Sequence, residues 1–208
     1  MFNQSAIRRD VRKRVSTKTI TLNNMRILSD ENITEAIKII RSGGVVAHAT
    51  ETCYGLACDF NNESAVKKVF ELKNRPEGMP VSALFPSIES VKELVEWNEI
   101  ADRLVKKYLP GPLTIVLPLK SSEGTMGVRI SSHPVAQKLA ELAGVPISTT
   151  SANIHGAPNP YSVDDILNQG LKPDLILDSG VLPVAEPSTV LSIENGEIRV
   201  LRQGSVKI

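Results

Sequence analysis

From Asp30 onward the apolar positions recur first at helical and then at strand spacing, and the alternation repeats along the chain. Ile33, Ala36, Ile37 and Ile40 fall on one helical face, and Gly43-Gly44 closes that helix. Residues 45–47 read as a short buried strand. Residues 63–72 read as a helix with Ala65, Val66, Val69 and Phe70 inward, and 81–85 as a strand. Helices are expected over 87–95 and 99–109, the second ended by Pro110-Gly111-Pro112. Residues 113–117 form an uncharged strand. In the strand 127–130, Val128 and Ile130 share one face and Arg129 takes the other. Pro134 suits a first helical position, with Val135, Leu139 and Leu142 following it inward. A strand over 146–149 runs into the polar stretch Thr149-Thr150-Ser151-Ala152-Asn153. Ser162 to Asp165 has the spacing of a capping box. Strands at 174–177, 189–193 and 198–201 complete the series, the last two a hairpin across Asn195-Gly196. The pattern predicts one α/β domain over 25–208: a mixed sheet with helices packed on it and an antiparallel pair near its end.

Composition narrows this picture. A chain of 208 residues with 41% hydrophobic and 23% charged residues has the make-up of a globular protein with one substantial core. Aromatics are only 4%, which does not advertise a base-stacking platform. No apolar run approaches the roughly 20 residues of a membrane-spanning helix, and no secretory signal opens the chain. Cys53 and Cys58 are too few and too close for a disulfide framework or a four-cysteine zinc site. They point to a reducing compartment, the cytoplasm, and both read as packed thiols.

The net charge of +1 hides an asymmetry. Residues 1–24 carry Arg8, Arg9, Arg12, Lys13, Arg14 and Lys18 against one acid, Asp10, which leaves 25–208 at a net −4. The first 24 residues therefore read as a flexible basic arm. It is suited to weak RNA contact or to targeting, or else it precedes a true start at Met25. An anion site in the mildly acidic body has to be a local pocket rather than a basic face.

Lys73-Asn74-Arg75-Pro76 is the strongest local candidate for one. A continuing helix would point residues two apart in directions about 200° different. Pro76 disfavours helical geometry at Arg75, so the helix ends there and both cations can turn to one place. Lysine as a point charge and arginine as a planar fork suit a polyanion, although cations also favour any helix C-terminus. Other polar residues stand at strand ends: Thr50, Glu51 and Thr52, Thr114, Ser151 and Asn153, and Ser188-Thr189. Ligands commonly bind beyond the carboxyl ends of strands, and turns favour the same residue types. Phosphate-loop, dinucleotide and His-Glu-x-x-His patterns are absent. Of the three histidines, His48 reads as a packed strand residue, His133 as a helix start, and His155 as the one site candidate.

Taken in order, Ala49-Thr-Glu-Thr-Cys-Tyr-Gly-Leu56, Lys73-Asn-Arg-Pro76, Gly111-Pro-Leu-Thr114, Val128-Arg129 with His133-Pro134, Ser151-Ala-Asn153 with Gly156, and Pro187-Ser-Thr189 resemble the YrdC-like family of threonylcarbamoyl-AMP synthases. The match runs over about 26–205. It implies that family's twisted α/β fold, with a concave anion-binding cleft and the single-domain bacterial-type form. It also implies a reaction: L-threonine, bicarbonate or CO2, and ATP give threonylcarbamoyl-adenylate and pyrophosphate. A separate transferase complex then modifies adenosine 37 of tRNAs that read codons starting with A. Carried over by position, Lys73 and Arg75 are the catalytic pair. With Thr114, Ser151, Asn153, Asn159 and Arg202 they form the ATP set; Thr50, Thr52, Arg129, Thr149 and Ser188 face threonine. No protein ligands to metal are implied, and Mg2+ is expected on the ATP phosphates.

The chain departs from the family pattern at Ala49 and Ser131, both usually proline and expected to affect loop stiffness. It departs also at His155, usually serine, and at Met79 and Leu84, where polar residues or histidine can stand. A non-catalytic paralogue that binds RNA or ribosomes through the cleft and basic arm is the alternative.

Overall fold

A computed structural model of the chain describes residues 20–22, 25–76, 79–194 and 196–208. The expected basic arm lies outside them except for Ile20–Leu22, which forms strand β1 against β2 (Met25–Ser29). The alternation begins with these two strands, ahead of the helix α1 (Ile33–Arg41) at which the spacing first declares itself. Then follow β3 (Val46–Ala49), β4 (Tyr54–Ala57), α2 (Glu63–Leu72), β5 (Ser82–Leu84), α3 (Ile88–Lys92) and α4 (Glu99–Tyr108). The remainder is β6 (Leu113–Pro118), β7 (Thr125–Arg129), α5 (Pro134–Ala143), β8 (Ile147–Ser151), α6 (Val163–Asn168), β9 (Leu175–Asp178), β10 (Thr189–Glu194) and β11 (Glu197–Arg202).

The expected elements are present with small shifts, and three points differ. Strand β4 was not anticipated; it pairs antiparallel with β3 and makes the Thr50–Cys53 stretch a hairpin turn. The helix expected over 87–95 stops at Lys92, because Val95 bridges to Leu119 and Glu96 N–H donates to Pro118 O at 2.8 Å. Leu142 is 40% exposed: the buried stripe of α5 runs through Val135, Ala136, Leu139, Ala140 and Ala143 instead.

The strands form one mixed sheet in the order β1-β2-β9-β3-β4-β8-β5-β7-β6-β10-β11. In the first half both faces are covered. Leu28, Val46, Ala57, Leu175 and Leu177 pack against α1 and α5. Ile27, Ala47, Leu56 and Ile176 pack the other way, against Ala65 and Val69 of α2 and Val163 and Ile166 of α6. Burial on both faces explains why these strands read as continuous apolar runs. In the second half, α3 and α4 cover one face only. Leu113, Ile115, Leu117, Val128, Leu191 and Ile193 meet Val91, Ala101, Leu104 and Val105 there. Alternation along β6 and β7 turns Thr114 and Arg129 away from that core.

Local chemistry sets the helix ends. Ser162 accepts Asp165 N–H at 3.1 Å as an N-cap, and the Asp165 carboxylate returns to Tyr161 N–H at 2.9 Å. Pro134 takes the first turn of α5, capped by His133.

Candidate active site

The basic pair sits at the end of α2, and Asn74 rather than Pro76 makes the turn. Asn74 has φ +48°, the left-handed conformation that asparagine tolerates better than most side chains. Asn74 N–H donates to Glu71 O at 3.1 Å and Arg75 N–H to Phe70 O at 3.0 Å, the two bonds of a Schellman motif. The contact that accompanies this motif is here a guanidinium on a ring: Arg75 lies over Phe70, 5.5 Å from its centroid. Arg75 also donates to Pro80 O at 2.8 Å, and its Nε is buried without a partner.

Lys73 turns the other way, so the two side chains do not turn to one place as the break at Pro76 suggests: the left-handed turn at Asn74 sends them apart. It is 3% exposed, and its ammonium donates to Ser151 O, Asn153 O (2.9 Å) and Asn153 Oδ1 (3.1 Å). An ammonium has three donors, so the loop after β8 takes all of them. Lys73 O accepts His155 N–H at 2.7 Å, so the same residue grips that loop twice. Ser151 donates to Asn153 Oδ1, and Asn153 Nδ2 donates to Ala157 O. Burial, and then the Arg75 charge, brings the Lys73 pKa down to about 8.

A second cluster forms where the β3–β4 turn meets the end of β7. Arg129 Nη2 donates to Glu51 Oε1 at 2.7 Å and to Thr52 Oγ1 at 2.9 Å, while Ser131 donates to Glu51 Oε2. Burial alone would raise the Glu51 pKa; Arg129 and the Ser131 hydroxyl outweigh it and hold the carboxyl below its ordinary value. Thr50 Oγ1 donates to Cys53 O at 2.7 Å, and lies 3.0 Å from Thr52 Oγ1. It also accepts N–H from Thr52 at 3.2 Å and from Cys53 at 3.3 Å. Its one proton and both lone pairs are taken by Cys53 O and these two N–H groups. Thr50 is thereby consumed in forming the turn.

A third cluster lies at the start of β10. Arg202 donates to Ser188 O at 2.8 Å and to Ser188 Oγ at 3.0 Å, and Thr114 Oγ1 stands 3.4 Å from Ser188 Oγ. Parallel pairing of β6 with β10 sets Thr114 there. Burial, then Arg129, lowers the Arg202 pKa.

The three clusters lie within electrostatic reach of Cys53 in the β3–β4 turn. The Cys53 thiol, which burial pushes up, feels Arg129, Lys73 and Glu51, and it acts in turn on Arg202. Thr149 is buried on β8 opposite Ser82, two residues before Ser151. Asn159 is half-buried beside Pro160, whose carbonyl accepts Tyr54 N–H at 2.9 Å.

His155 has its side chain exposed and contributes its backbone. His48 is fully buried, and burial lowers its pKa to about 4, so it is neutral. Met79 is half-exposed and borders a groove of about 430 Å³ with Phe60, Val66, Phe70 and Val81; Leu84 is core. Sequence reasoning placed Glu51 at a strand end but gave it no partner, and it read Ser131 only as a loss of stiffness. Their partners lie 78 and 80 residues away, and no local pattern signals such pairs.

A family model described as "Telomere recombination", the Sua5/YciO/YrdC domain, matches residues 38–204. Pyrococcus abyssi threonylcarbamoyl-AMP synthase is 36% identical over 91% of this chain and 59% of its own length. The Vibrio cholerae threonylcarbamoyl-AMP synthase is 30% identical over 84% of this chain and 98% of its own length. The chain thus spans little more than half of the longer relatives and nearly all of the shorter ones. Among solved structures, P. abyssi Sua5 complexed with L-threonine superimposes with a TM-score of 0.78, at 36% identity over 85% of this chain and 55% of that one. E. coli YciO superimposes with a TM-score of 0.75, at 26% identity over 85% of this chain and 91% of that one. By its matched domain, its relatives and its twisted mixed sheet, the chain belongs to the Sua5/YciO/YrdC family.

Proposed function

We propose that the chain synthesises L-threonylcarbamoyladenylate from L-threonine, CO2 or bicarbonate, and ATP, with release of pyrophosphate. The product would serve N6-threonylcarbamoylation of tRNA by a separate transferase complex. The observation that carries the reading is a set of buried or half-buried cations held on polar loop groups: Lys73 on Ser151 and Asn153, Arg129 on Thr52, and Arg202 on Ser188, with Arg75 at the same helix end as Lys73. The names of the relatives give the product, and the P. abyssi neighbour is complexed with L-threonine.

In this reading the deprotonated amine of threonine attacks CO2 to give a carbamate. A carbamate oxygen then attacks the α-phosphorus of ATP, and pyrophosphate leaves. The protein contributes position and charge, and no protein nucleophile is required. Arg129, with an unpartnered buried Nε, would take the amino-acid carboxylate beside Thr52 and Thr149. Arg75, also with a spare Nε, would take phosphate oxygens, while Lys73 holds Ser151 and Asn153 beside it. Thr114, Asn159 and Arg202 complete the nucleotide side. Ser188, hydrogen-bonded to Arg202, would mark where the two substrates adjoin. Thr50 would act by shaping the turn.

Among the described residues no group of three or more His, Cys, Asp or Glu side chains could hold a metal ion, and both Glu51 oxygens are engaged. Mg2+ would be carried on the triphosphate, where it would offset phosphate charge. Among the described residues no helix is long and apolar enough to cross a membrane. Both cysteines are free and buried, which fits a cytoplasmic enzyme.

The test is pyrophosphate release by the purified full chain given ATP, Mg2+ and bicarbonate, with and without threonine. Threonine-dependent release is expected. Its absence, together with salt-sensitive RNA binding that needs residues 1–24, would favour a non-catalytic RNA-binding protein instead.

A further inference from the structure

We infer that Glu51 and Ser131 are positioning residues that aim Arg129 at the carboxylate of the amino-acid substrate; this rests on the threonine reading above and deepens it. Arg129 ends β7, and its long side chain would otherwise lose rotamer freedom each time it gripped a ligand. Here that freedom is already gone. Nη2 is held by Glu51 at 2.7 Å and by Thr52 at 2.9 Å, and the side chain is 9% exposed.

Glu51 is itself fixed from both sides, one oxygen to Arg129 and the other to Ser131. The Ser131 hydroxyl gives its proton to Glu51 and accepts His133 N–H at 3.1 Å. His133 caps α5, so the chain of bonds ends on a rigid helix packed in the core. Releasing Glu51 would break two charge-assisted bonds at once. A brace fits that arrangement better than a carboxylate waiting to be displaced. The buried Nε of Arg129 has no partner within the protein, which leaves the guanidinium a donor to give.

The experiment is calorimetric binding of L-threonine to the full chain, with steady-state KM for threonine and for ATP, in the wild type, Ser131→Ala, Ser131→Thr and Glu51→Gln. Losing one such bond weakens a held contact by about tenfold. Ser131→Ala should raise both Kd and KM for threonine by about that factor and leave KM for ATP unchanged. Ser131→Thr should restore the wild-type values, and Glu51→Gln should weaken threonine binding at least as much as Ser131→Ala. Unchanged threonine binding in Ser131→Ala, or an equal rise in both KM values, overturns the brace. Tighter threonine binding in Glu51→Gln also overturns it, because Glu51 would then be a competitor for Arg129. A folded wild type that binds no threonine overturns the threonine reading itself, a result distinguishable from failure of the brace.

Discussion

Lys73 offers a prediction whose sign can be worked from the structure. Its ammonium is 3% exposed, and its three acceptors are neutral oxygens. Those bonds favour the charged form, but burial and Arg75 outweigh them and lower the pKa from 10.5 to about 8. A base with a lowered folded pKa is bound less tightly to its proton in the native state than in the unfolded chain. Between the two values the unfolded chain holds more protons, so this residue makes stability rise with pH. Integrating the difference from about pH 7 to about pH 10 gives roughly 2–3 kcal/mol.

Other groups titrate in the same window with the opposite sign. Burial raises the pKa values of Cys53, Cys58 and Tyr54, so their unfolded forms ionise first and stability falls. The Lys73 contribution must therefore be read as a difference against Lys73→Met, which does not titrate. Urea denaturation of both proteins, followed by the fluorescence of the single tryptophan, Trp97, should show wild type gaining on the variant as pH rises. A difference that stays flat, or falls with pH, would refute the reasoning: the three oxygens would then stabilise the ammonium more than burial penalises it.

His48 should act in the acid range. With its folded pKa near 4 against 6.5, stability should fall as pH drops through that window, by about 3 kcal/mol in full, and a His48→Gln protein should lack that component in urea titrations. Asn74→Gly should preserve or raise the melting temperature. Asn74→Val should lower stability by about 1–2 kcal/mol, since φ +48° is open to glycine and strained for a β-branched residue. Arg75→Ala should keep the fold by circular dichroism and lose threonine-dependent pyrophosphate release; full turnover would show that Arg75 does not hold the phosphates. Pyrophosphate binding at about pH 8.5 should take up protons, because an anion near Lys73 restores its ammonium. Calorimetry in buffers of different ionisation enthalpy measures that uptake.

Helices with a one-sided stripe were legible from spacing alone, as at Ala36, Ile37 and Ile40 or Ala65, Val69 and Phe70. Their ends were legible where the residues act locally, as at Gly43-Gly44, Ser162 and Pro134. Strand β4 was not, since Tyr54–Ala57 is buried on both faces and shows no alternation to count. The end of α2 was placed correctly for an incomplete reason: Pro76 forbids continuation, but the turn is made by Asn74 in the left-handed region, which only the backbone reveals.

The order of motifs along the chain was enough to determine the family and the residue types of the candidate site, because those patterns are local and survive in one dimension. Tertiary structure alone decided what each side chain does. Lys73 and Arg75 stand two apart, yet one grips the loop after β8 and the other stacks on Phe70. Thr50 and Thr52 are near-identical in sequence context, yet one hydroxyl is consumed by its turn and the other faces Arg129. Glu51 and Ser131 become partners only because the sheet carries β7 to the mouth of the β3–β4 turn. A hydrogen bond depends on distances within about 3 Å, and two residues 80 apart in sequence acquire such a distance only when the chain folds.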